Sequence, residues 1–217
     1  MADIIVDVVT PATSYALVTL EELKAMLNIP ATDTSEDAML QLWIDQYSDV
    51  IATMCNRVFG KETVTEIWTG DLEPFDSPRL FLTRYPVKAA DIISVESPEG
   101  LAMDPAGYNL DSKCGKLKVR AGYAWSEPIV VSYTGGYDLP TEAPPALKAA
   151  LGLAVSTARI RQHQAVVSGV RSISHRESRV MFFDVNATAA KLGTTNPVGS
   201  LPAALGPLLY HYTRIYV

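Results

Sequence analysis

The sequence predicts an α+β fold: an antiparallel-free helical bundle of three main helices, an inserted antiparallel β unit, and a C-terminal extension ending in a short helix. Three observations predict it. Apolar residues recur at helical steps between residues 19 and 58, the period drops to two between 63 and 137, and a helical period returns after Pro144 and Pro145. The division this implies is an arm over 1–17, a helical bundle from 18–62 plus 141–166, an inserted β domain over 63–140, and an extension over 167–217.

Residues 1–17 are β-branched and apolar, and read as an extended arm. The first helix starts at Thr19: Thr19-Leu20-Glu21-Glu22 has the capping-box spacing, the hydroxyl bonding the third amide and Glu22 reaching back. It is expected to end near Asn28, before Pro30. Thr34-Ser35-Glu36-Asp37 reads as a second cap, opening a helix that runs to about Val58 with Gly60 as its stop. Leu40, Trp43, Ile44, Tyr47, Val50, Ile51, Met54 and Val58 supply its apolar period. Six short runs follow with turn residues between them: 64–68, 79–82, 91–96, 108–110, 116–120 and 128–133. Within the fifth, Lys116, Lys118 and Arg120 alternate with Leu117 and Val119, placing three cations on one strand face. That face is either solvated or meets a polyanion or an acidic neighbour.

The third helix is expected from 144 to 164. Proline suits a first turn, where the missing N–H costs little. Leu147, Ala150, Leu151, Ala154 and Ala158 make a narrow small-residue stripe, which allows another helix to approach closely and marks it as a packing face between subunits. Residues 170–184 alternate as a hairpin or ribbon, 186–199 read as a connector, and Ser200-Leu201-Pro202 opens a last short helix. Leu205, Leu208, Leu209 and Tyr212 form its apolar stripe, and the chain finishes in TRIYV, greasy where termini are usually polar.

Composition narrows the class. At 217 residues with 48% hydrophobic and 19% charged, the chain can bury a real core. No apolar run is long enough to span a bilayer, so no membrane partner is expected. The N-terminus is acidic, unlike a signal peptide, and Cys55 and Cys114 read as two buried free thiols in a reducing cytoplasm. The net charge of −6 hides an asymmetry: residues 1–158 hold 11 Lys/Arg against 22 Asp/Glu, residues 159–217 hold 7 against 2. A basic end on an acidic body suggests an interaction segment.

Catalysis finds no support in the residues. The nucleophile-elbow, P-loop, zinc-protease and dinucleotide patterns are all missing. His163, His175 and His211 are scattered, Ser172 and Ser174 fall on the strand face opposite His175, and Asp33, Glu36 and Asp37 read as helix-start acids rather than a cation site. No cofactor or metal is expected. Arg159, Arg161, Arg171, Arg176 and Arg179 stand out, because guanidinium forks bind carboxylate or phosphate bidentately. Without an aromatic platform or a helix-turn-helix, they suit an acidic partner or non-specific contact with DNA, not base reading.

The order of parts carries a resemblance. LVTLEELKAMLNI, the long helix DAMLQLWIDQYSDVIATMCNRVF, VSYTGGYDLPTEAPPALKAALGLAVSTARIRQHQ and the closing LPAALGPLLYHYTRIY together resemble the head–tail connector (adaptor) proteins of tailed bacteriophages and gene transfer agents. The resemblance covers about residues 17–60 and 128–217. It implies a non-enzymatic virion protein made in the host cytoplasm: a ring of twelve copies beneath the portal protein, extending the DNA channel and meeting downstream neck or tail proteins. It implies portal binding by the C-terminal residues Leu205, Leu208, Leu209, Tyr212, Arg214, Ile215, Tyr216 and Val217. The five arginines would then face the DNA channel or an acidic portal surface. Another neck or tail-completion protein is the alternative, followed by a ligand-binding protein or enzyme using the β unit.

Overall fold

The computed structural model describes residues 3–69, 79–166, 172–175, 178–181 and 205–214, with backbone alone at residue 161, over 163–166 and over the strands at 172–181. Thr19 caps α1 (Leu20–Met26) as its sequence predicts: its hydroxyl accepts from the Glu22 amide at 3.1 Å, and Glu22 accepts from the Thr19 amide at 3.1 Å. Asn28, with φ of 55°, turns the chain out of the helix. α2 (Asp37–Met54) is shorter at both ends than its pattern suggests. Its cap position, Glu36, makes no side-chain cap. Instead the Asp33 carboxylate takes up the preceding turn, accepting from the Ser35 amide at 3.0 Å and hydroxyl at 2.6 Å. Asn56 at φ 50° ends the exit turn, so the expected stop at Gly60 comes four residues too late.

The fold class itself needs correcting. Four helices and two antiparallel sheets share the described residues in a mixed α+β arrangement, not a three-helix bundle carrying an inserted β unit. The first sheet runs β1 (Asp3–Thr10), β2 (Glu62–Thr69), β7 (Ile129–Gly135), β4 (Ile92–Glu96). The second runs β3 (Arg79–Phe81), β6 (Lys116–Val119), β5 (Tyr108–Asp111). The reason is backbone pairing: β2 satisfies one edge with β7 and the other with β1, so the N-terminal residues are an edge strand of the sheet. Ser172–His175 and Ser178–Met181 form a separate hairpin, β8–β9, matching the alternation there.

Two hydrophobic clusters result. One joins Leu17, Leu23, Leu40, Ile44, Ile51, Leu147, Leu151 and Leu205, uniting α1 and α2 with α3 (Pro145–Val166) and α4 (Leu205–Leu209). The other lies among the strands, with Val64, Leu80, Leu117, Val131 and Tyr133. The double glycine before α3 lets backbones meet at the junction: a Cβ on Gly135 would lie 2.4 Å from the Arg84 carbonyl oxygen, and one on Gly136, at φ +109°, 2.4 Å from that of Gly60.

Polar groups tie the same junction. Glu66, fully buried on β2, accepts from the Tyr133 hydroxyl at 2.5 Å, the Thr83 amide at 2.8 Å and the Thr83 hydroxyl. Arg84 bonds Glu62 at 2.6 Å, and Tyr15 donates to the same carboxylate at 2.6 Å.

Candidate functional site

Nothing among the described residues gathers three His, Cys, Asp or Glu side chains into a metal set, and no described helix is long and apolar enough to cross a membrane. The helix-start acids have other work. Asp37 pairs with Lys24 at 2.5 Å and Glu36 with Arg159 at 3.1 Å. Cys55 and Cys114 are free thiols, the first buried and the second half-buried, and burial pushes both up from the usual thiol range. His211 sits exposed beside Tyr210, their rings 5.6 Å apart, while the side chains of His163 and His175 lie outside the described residues.

The surfaces are more informative than any cleft. Leu147, Ala150, Leu151 and Ala154 all fall inside the first core cluster, where α3 contacts both α2 and α4. Alanine at these steps allows close approach, and the helices that approach belong to this chain. Ala158 is half-buried. Another face of α3 is open: Met26, Lys148, Ala149, Gly152 and Leu153 line a groove of about 680 Å³. Lys148 reaches from its wall to Glu22 at 2.6 Å. Burial pushes the Glu22 carboxyl up, but the hydrogen bonds from Lys148 and the Thr19 amide outweigh it and hold the group below its ordinary value.

The C-terminal stripe is also used at home. Leu205 and Leu209 are buried at 1% and 3% exposure, and Leu208 and Tyr212 pack partly against the same core. Tyr212 meets Phe59 edge-on, with ring centroids 6.4 Å apart. The Arg214 amide donates to the Cys55 carbonyl at 2.8 Å, and its guanidinium to the Phe81 carbonyl at 3.3 Å. Beside it Arg57 is buried without a carboxylate among the described residues, its guanidinium 3.5 Å from the Tyr85 ring centroid and 4.7 Å from that of Phe59. Burial pulls its pKa down, while aromatic faces and the Tyr85 carbonyl hold the charge. Sequence reasoning passed over Arg57, since a lone arginine after a helix carries no pattern. Ile215, Tyr216 and Val217 lie outside the described residues, and Tyr210, exposed at 67%, is the large apolar group left open here.

Of the five arginines, Arg159 is described with its side chain, and it joins α3 to the start of α2 through Glu36. Arg161 and Arg179 are placed by backbone alone; Arg171 and Arg176 lie outside the described residues. The strand cations fall as alternation predicts: Leu117 and Val119 are buried, Lys116 and Lys118 half-exposed, Arg120 exposed.

Residues 17–77 match the family model described as "Phage gp6-like head-tail connector protein". That segment holds α1, α2 and β2, the part opened by the Thr19 capping box. The head–tail connector resemblance holds. Curated proteins include no significant match. Among solved structures, the connector-like fold recurs in a chain from the "Neck of empty GTA particle computed with C6 symmetry", at TM-score 0.53 and 13% identity, covering 98% of this chain and 97% of that one. A chain from the "Virion of native gene transfer agent (GTA) particle" gives TM-score 0.53 and 14% identity over the same shares. One from the "Neck of native GTA particle computed with C12 symmetry" gives 0.50 and 13%, again over 98% and 97%. At such identities the likeness is one of fold, and it extends through the β sheets and the C-terminal segment beyond the family match.

Proposed function

We propose that this chain is a structural virion protein, a head–tail connector that forms a ring beneath the portal protein, continues the DNA channel and offers the tail an attachment site. The observation that carries this reading is the family match on α1, α2 and β2. The end-to-end fold likeness to neck chains supports it. In this reading the chain performs no catalysis and binds no cofactor. Its location is the neck of the particle, after synthesis in the bacterial host cytoplasm. Twelve copies make the ring, in keeping with the C6 and C12 symmetries named for the neck structures of similar fold.

The partner-facing residues follow from what the core leaves over. Leu205, Leu208, Leu209 and Tyr212 shape the C-terminal segment from below, so contact with the portal falls to the exposed Tyr210 and to the chain end, Ile215, Tyr216 and Val217. Because Arg159 is engaged by Glu36, contact with DNA or an acidic partner falls to Arg161, Arg171, Arg176 and Arg179. Electron microscopy of particles made without the chain tests the reading. Packaged or leaking heads beside free tails are expected; normally joined particles would remove it.

A further inference from the structure

The outward face of the β3–β6–β5 sheet is cationic within an acidic chain. Arg79 on β3 lies directly opposite Lys118 on β6, and Arg120 follows two residues on. Like charges set opposite each other in a sheet destabilise it unless something answers them. The neighbouring residue on β5 is Asn109, which accepts from Arg120 at 2.7 Å. Asp111 is the acid on this face, 3.9 Å from Lys116 at its far end. Among the described residues neither Arg79 nor Lys118 has an ion-pair partner. Tyr123, 46% exposed, lies beside Gly107 at the Arg120 end and adds an aromatic of the kind interfaces favour.

The outer face of α2 has the opposite character. Its 18 residues include no Lys or Arg. Asp45 and Asp49 are both exposed at i and i+4, a spacing at which like charges repel. Gln41 bonds Asp45 at 3.1 Å, and Leu42, 54% exposed, shares the face. Neither aspartate forms an ion pair among the described residues.

We propose that the outward face of β3–β6–β5 docks on the outer face of α2 of a second copy of this chain, Arg79, Lys118 and Arg120 meeting Asp45 and Asp49. Charge complementarity selects the occupant. Neither face can pair with its own image, since each would bring like charges together, so the contact is heterologous, the kind that closes rings. A polyanion fits less well, because the patch sits in a segment where acids outnumber cations two to one (22 against 11 over residues 1–158). Leu42 and Tyr123 supply the apolar part of the contact. This assignment deepens the connector reading and rests on it.

The test is charge reversal in the full chain, followed by mass photometry and by retention on DNA. Asp45→Lys with Asp49→Lys, or Arg79→Glu with Lys118→Glu, should each weaken self-association at least about tenfold and leave the circular dichroism unchanged. All four changes in one chain should restore it, as should mixing the two double variants, whose copies can alternate round an even-numbered ring. Wild-type assembly should also weaken with rising salt. A wild-type ring indifferent to either reversal, or a fourfold variant that stays apart, overturns the pairing and leaves the connector reading standing. Loss of DNA retention with the ring intact overturns it too, and gives the sheet face to a polyanion. A wild-type chain that never self-associates overturns the pairing, and leaves the connector reading to the microscopy of particles made without the chain.

Discussion

Tyr133 shows at the scale of one residue how the two sheets are held in register. Its buried hydroxyl donates to Glu66 at 2.5 Å and accepts from the Arg84 amide at 2.9 Å. Burial pushes the phenol far above its ordinary value of 10.0, with the Glu66 charge and hydrogen bond adding to the shift. The folded chain therefore keeps a proton that the unfolded chain releases near pH 10. Stability from this group is full below that pH and is lost as pH rises above it. Tyr133→Phe should cost about 1–3 kcal/mol at neutral pH, because a buried acceptor and donor lose their partner. The same variant should lose less stability than wild type between pH 9 and 11, read from urea midpoints at each pH.

At the scale of an element, α1 depends on its cap more than most helices because it has only 7 residues. Thr19→Ala removes one half of the capping box and should cost about 1 kcal/mol. The urea midpoint should fall with an unchanged slope. α3 makes a different point. Its stripe of Leu147, Ala150, Leu151 and Ala154 is as narrow as its sequence suggests, but a pattern of small residues states how close a neighbour comes and not whose neighbour it is. Met26 packs over Gly152 on another face, beside the groove that Lys148, Ala149 and Leu153 line.

The whole molecule places the C-terminal segment in its own core. α4 docks against α3, and the Arg214 amide closes on Cys55 at the end of α2. Leu209→Ala should therefore destabilise the isolated chain by about 2–5 kcal/mol and lower its Tm. An unchanged Tm would mean the segment serves only a partner.

Periodicity, caps and turn residues determined the local elements: the Thr19 capping box, the long second helix, the β5–β6 hairpin around Asp111–Gly115, and the return to helix after Pro144. These are set by contacts within a few residues, which a sequence states directly. Tertiary structure alone decided what each surface meets. It turned residues 3–10 into a sheet edge, divided the β unit into two sheets, gave the turn before α2 to Asp33, and filled the alanine stripe from within. The physical reason is the same in each case. Strand partners and helix neighbours are chosen by burial and hydrogen bonding across tens of residues, where many pairings satisfy one local pattern and only the packed chain distinguishes them.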